Sequence, residues 1–315
     1  MGTGRRTNDL VARNGDGAVS LGAEDTRRRL SALLEGRIKR YGKRLRRCQK
    51  KFSAKAVHDS RVETRRLLSL VELLGPFLPA GRLRKAERAL KRHLDTFDEL
   101  RDAQVQLAEL KELTRPFPAA RLFRSYLLKR ESRLTDRTRR QIRRVKARRL
   151  TGLLADCGDH VELALRNSAP AHAARLLAGS VQRAFERTRQ FKKRIDARDT
   201  RTIHRTRVAF KKLRYMMETL AEFSPRITAG LLEEMHDYQT MMGHVQDAEV
   251  LLQAWERFRD KQQLEPADVR PFQLELTRRR RRLVEIYLKA AGRLERFRPL
   301  AQARRLLNFP VRASA

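Results

Sequence analysis

VHDSRVETRRLLSLVELLGPF, Val57 to Phe77, recurs without gaps as IHRTRVAFKKLRYMMETLAEF, Ile203 to Phe223. Identities fall at His58/His204, Arg61/Arg207, Val62/Val208, Leu67/Leu213, Glu72/Glu218, Leu74/Leu220 and Phe77/Phe223. Arg65-Arg66 stands opposite Lys211-Lys212, so charge is kept where identity is not. At nearly the same offset, FDELRDAQVQL (Phe97 to Leu107) matches MGHVQDAEVLL (Met242 to Leu252), sharing Asp102/Asp247, Ala103/Ala248, Val105/Val250 and Leu107/Leu252. Two ordered motifs at one offset mark a tandem duplication, with the join expected near Asp156 to Ala178.

Wound at 100° per residue, the first motif puts His58, Arg61, Val62, Arg65, Ser69 and Glu72 on one face. Leu67, Leu70, Val71 and Leu74 form the opposite, core-facing stripe. The second copy carries His204, Arg207, Val208, Lys211, Tyr215 and Glu218 on the matching face, with Lys212 and Arg214 on its flanks. Leu213, Met216, Met217 and Leu220 oppose them. Each copy is therefore expected to pack one side and expose a histidine and a ladder of cations on the other, giving two separate basic faces. Arginine offers phosphate oxygens a bidentate fork, lysine a mobile point charge, and protonated histidine two donors. Asp102 and Asp247 read as carboxylates that orient a neighbouring Arg rather than as metal ligands.

Around the motifs, 73 Lys+Arg against 37 Asp+Glu in 315 residues leave a formal charge of +36. An excess of that size destabilises a compact state unless anions neutralise it. Hydrophobic residues at 41% still suffice for a core, and scarce Gly and Pro with abundant Arg, Leu, Ala, Glu and Lys favour helices. Breaks at Gly75-Pro76, Arg115 to Pro118, Asn167 to Pro170, Ser224-Pro225 and Glu265-Pro266 separate helical stretches. Residues 1–22 read as a flexible leader, 23–155 and 156–307 as the two helical halves, and 308–315 as a tail. Cys48 and Cys157 have no paired spacing and are expected to be reduced in a cytosol. No uncharged stretch is long enough for a membrane span.

With both motif pairs in view, the chain resembles the CHAD family, the conserved histidine α-helical domain, over about residues 24 to 307. VHDSRVETRR and IHRTRVAFKKLRY are similar to its signature helices, ELRDAQV and HVQDAEV to their companions. The resemblance implies an all-α fold of two pseudo-symmetric four-helix-bundle halves that bind inorganic polyphosphate and associate with cytoplasmic polyphosphate granules, where granule proteins are candidate partners. It implies binding through His58, Arg61, Arg65 and Arg66, then His204, Arg207, Lys211, Lys212, Arg214 and Tyr215, with no catalytic residue, metal or cofactor. The second copy departs from the pattern at Gln246, which stands where the first has Arg101.

Two other readings compete. Nucleic-acid binding follows from the same electrostatics, and weak, salt-sensitive binding is expected as a side effect of charge. Aromatics at 6% disfavour a single-strand stacking platform. A metal-dependent phosphohydrolase would use His236-Asp237 with His204 upstream, but the repeat already accounts for His204. The run Arg278 to Arg282 wraps right around its helix and reads mainly as a solvated face.

Overall fold

Ser53 and Asp199 start the two repeated helices, each accepting a hydrogen bond from the first turn: Ser53 Oγ from the Ala56 amide at 3.3 Å, Asp199 Oδ1 from the Arg201 amide at 3.1 Å. Such caps satisfy amides that a helix start leaves without partners. A computed structural model describes residues 23–299 except 112, 115, 223, 225 and 226. The expected leader 1–22, the tail 308–315 and Phe223 of the second motif lie outside the described residues.

The described chain is all-α. The helices are α1 (Ala23–Lys50), α2 (Ala54–Leu73), α3 (Ala80–Asp95), α4 (Asp98–Leu110), α5 (Pro118–Arg144), α6 (Ala147–Arg166), α7 (Pro170–Lys193), α8 (Thr200–Ala221), α9 (Ala229–Gln262) and α10 (Pro266–Ala290). Two 3-10 segments, Gly75–Phe77 and Ala291–Phe297, complete it. Proline opens α5 and α7, where the first-turn amide has no acceptor to lose.

The order of packing repeats. α1 lies on α2, α2 on α3 and α4 on α5; likewise α7 lies on α8, α8 on α9 and α9 on α10. The long α9 thus takes the place of α3 and α4, which part at Thr96-Phe97, where fully buried Phe97 enters the core. Between halves, α2 meets α8, α4 meets α9 and α5 meets α10. One apolar core spans both halves, from Leu34 and Tyr41 through Leu70 and Phe185 to Phe210 and Tyr287. A second joins the helix pairs α4/α5 and α9/α10 around Phe123, Trp255 and Phe272.

The boundary expected at 155/156 falls inside α6. That helix continues because Leu154, Cys157 and Val161 are buried in the core beside α1 residues, and it breaks only at Asn167.

Candidate functional site

The apolar stripes behave as their spacing predicts: Leu67, Leu70, Val71 and Leu74 are buried, as are Leu213, Met216, Met217 and Leu220. The opposite faces do not. Instead of pointing separately to solvent, they turn towards each other where α2 meets α8. Arg66 Nε stands 3.8 Å from Glu218, and Lys212 Nζ 3.2 Å from Glu72. Arg66 and Lys212 are repeat equivalents, as are Glu72 and Glu218, so each half gives the other the same pair. That reciprocity is the signature of an approximate twofold axis. Ser69 and its counterpart Tyr215 are both buried there.

This arrangement corrects the expectation of two exposed ladders. Arg61 is only 6% exposed, and Arg214 and Tyr215 are 8% exposed. A helical wheel shows which residues share a face but not what covers that face, and here α1, α3, α4, α8 and α9 do. Arg214 is held by Glu218 and, through Nε, by Gln239 at 3.0 Å, with its guanidinium 4.5 Å from the centre of the Tyr215 ring. Arg66 and Lys212 therefore tie the two halves together, and Arg214 holds Glu218, the partner of Arg66, in place.

The remaining cations converge beside this tie. Lys211 lies within electrostatic range of Arg61, Arg65, Arg207 and Arg214, and Arg207 within range of Arg65 and Arg101. Burial first, and then the Arg65 and Arg207 charges, pull the Lys211 ammonium down to about 6. Burial likewise lowers Arg207, and it draws Arg61 down to about 10. Among the described residues, Arg65, Arg101, Arg207 and Lys211 make no ion pair. Arg207 Nε and His204 Nδ1 are buried with no hydrogen-bond partner among those residues.

The two halves steady their paired arginines differently. Arg61 donates to Asp98 at 3.2 Å and lies over Phe97, 5.9 Å from its ring centre. Arg207 instead lies against Gly243, where a Cβ would come within 3.7 Å of Nε. Asp98 and Gly243 occupy equivalent places, so a search for shared identities misses the carboxylate that bonds Arg61. The sequence points to Asp102 for that role; it is exposed and within electrostatic range of Arg61, Arg130 and Asp247. Asp247 is half-buried near Arg207 and Arg101, and burial raises its pKa.

Gln246 also acquires a role. It hydrogen-bonds His204, favouring the charged ring, while burial and then Arg207 act more strongly to lower the His204 pKa. His58 is exposed. Arg101 joins the cluster from α4, although its counterpart is Gln246, so one half alone supplies a cation at this turn.

His236 and Asp237 are exposed on α9, and among the described residues no group of three His, Cys, Asp or Glu side chains could hold a metal ion. No described helix is long and apolar enough to cross a membrane.

No curated protein matches this sequence. The fold is similar to the crystal structure of the CHAD domain from the plant Ricinus communis, with a TM-score of 0.58 and 17% identity, covering 97% of this chain and 98% of that one. The family model for the CHAD domain matches residues 32–256, which include both repeated helices, their companion motifs and every residue of the cation cluster. By that match, the chain belongs to the CHAD domain family.

Proposed function

We propose that this chain is a non-catalytic binding protein for inorganic polyphosphate, acting at intracellular polyphosphate granules. The carrying observation is the convergence, beside the α2–α8 tie, of Arg65, Arg101, Arg207 and Lys211, which make no ion pair among the described residues. Like charges gathered in a partly desolvated place favour a polyanion that neutralises several at once. The orphaned Arg207 Nε and His204 Nδ1 support the same reading, since a buried polar atom without a partner costs about 1–3 kcal/mol until one arrives. Among the ten residues that the family resemblance implies, Arg61, Arg65, His204, Arg207 and Lys211 would meet the ligand. Arg66, Lys212, Arg214 and Tyr215 would hold the frame, and exposed His58 would stand at the rim. Arg101 is added to the set.

The test is a calorimetric titration of polyphosphate, duplex DNA, ATP and heparin at one salt concentration. Polyphosphate should bind tightest, and the joint change Arg65→Gln with Lys211→Gln should weaken it at least about tenfold. Equal affinity for DNA and polyphosphate would sink the assignment in favour of a general polyanion surface.

A further inference from the structure

α5 and α10 are equivalent helices, aligned by their buried residues Phe123/Phe272 and Leu127/Leu276 and by the pair Leu134/Leu283. On the outward side, that alignment brings together Lys129 with Arg278, Arg133 with Arg282, and Arg140 with Lys289, all six of them exposed. On each helix the three cations fall within an arc of about 40° and along about 16 Å, so they form a straight row. Among the described residues none of the six makes an ion pair, while their neighbours do: Arg137 with Glu99, Arg139 with Asp136, Arg279 with Glu109, Arg280 with Glu249 and Arg281 with Glu285.

Like charges one turn apart destabilise a helix, and an acidic residue nearby relieves the strain. Both copies leave the same three places cationic and unpaired, although the positions between them have diverged, as Ser132/Arg281 and Arg137/Ile286 show. The run Arg278 to Arg282 thus divides: Arg279 and Arg280 lock α10 to α4 and α9, and Arg278 and Arg282 belong to the row.

From this pairing we infer that the outer faces of α5 and α10 are two accessory rails for polyphosphate, engaged only by chains long enough to run beyond the central cluster. The inference rests on the polyphosphate reading of that cluster. Both rows lie on helices next to the cluster: α4, which carries Arg101, packs directly on α5, and α9, which lies against α8, packs directly on α10. A flexible single chain can turn over α4. Duplex DNA, with a persistence length of about 50 nm, does not make that turn.

The test compares the wild-type chain with a variant carrying Lys129→Gln, Arg133→Gln, Arg140→Gln, Arg278→Gln, Arg282→Gln and Lys289→Gln. Binding of tripolyphosphate, of polyphosphate on the order of 100 units and of duplex DNA is measured over a salt series. The six side chains are exposed and, among the described residues, unpaired, so circular dichroism should match wild type and the melting temperature should not fall, with any rise reflecting relieved repulsion. The long chain should lose affinity about tenfold or more, and its salt slope should become shallower by about 0.7 for each lost contact. Tripolyphosphate should bind as before. Equal losses for short and long chains, or none for the long chain, would overturn the rails and leave the cluster standing. A loss confined to DNA would assign the rows to nucleic acid instead. A wild-type chain that binds neither polyphosphate would overturn the cluster reading, and the rails with it.

Discussion

Lys211 shows how a single side chain reports on what occupies the cluster. Burial and the neighbouring Arg65 and Arg207 hold its ammonium near 6, so the free protein carries it largely neutral at pH 7.5. A bound polyanion reverses that bias, and binding must then take up a proton. Affinity should therefore rise as pH falls from 8 towards 6, with His204, lowered by burial and Arg207, adding to the trend below its ordinary value of about 6.5. Calorimetry in two buffers of different ionisation enthalpy should find an uptake approaching one proton at pH 7.5, abolished in Lys211→Met; no uptake in wild type would refute this. Stability of the free protein runs the other way. The unfolded chain holds the lysine proton up to about pH 10.4, so stability falls as pH drops from there towards 6. His93 governs a lower window. It is 3% exposed, hydrogen-bonded to Tyr41 at 2.7 Å, and lowered to about 4 by burial and then by Arg61. Its contribution is complete above about 6.5 and is lost as pH falls from there to 4, which urea midpoints at pH 7 and pH 4.5 should show. Neither repeated motif contains His93, and at the offset of Phe97/Met242 its counterpart is Tyr238, so no shared identity marked it.

Elements divide cleanly into what local spacing reveals and what only packing reveals. Leu67, Leu70, Val71 and Leu74 announce a core stripe because burial selects apolar residues at the helical period, and the second copy repeats the pattern. The cover over the other face is contributed by other helices, Phe97 and Asp98 at Arg61 and Gln239 at Arg214, so both arginines read as exposed until those helices are packed. The duplication itself was legible, and with it the equivalence of Arg66 with Lys212. Their reciprocal pairing with Glu218 and Glu72 was not, because sequence shows two copies without showing how they face. This tie can be measured. Lys212→Ala leaves Glu72, whose carboxyl is 8% exposed and raised by burial, with Lys91 at 3.9 Å as its one cationic partner among the described residues. Lys212 itself is 38% exposed, so solvent screening tempers the loss to about 1–2 kcal/mol in chemical unfolding. The double variant with Glu72→Gln should recover part of that loss; a further loss would mean that Glu72 acts through another contact.

At the scale of the whole molecule, the core shared by both halves argues for a single folding unit. Trp255 is the sole tryptophan and is fully buried where α9 meets α5 and α10. Its fluorescence and far-ultraviolet circular dichroism should lose their native signals together during urea unfolding. Two separated transitions would show the halves to be independent. The formal charge of +36 adds a second expectation. Moderate salt should raise the melting temperature of the free protein by screening self-repulsion, while the same salt weakens polyphosphate binding. Stability and affinity should thus move in opposite directions along one titration.

The approximate twofold axis between α2 and α8 also bears on direction. A nucleic-acid strand has a polarity, so on a twofold site one orientation can suit only one half at a time. Linear polyphosphate reads the same from either end. Under the proposed reading, a chain threaded from either side would meet the equivalent pair Arg65 and Lys211, so both directions of approach would be productive, a statistical gain of about 0.4 kcal/mol. Arg207 against Gly243 and Arg61 against Asp98, and Arg101 facing Gln246, break the equivalence locally, but a polymer with identical ends would have no preferred end by which to arrive.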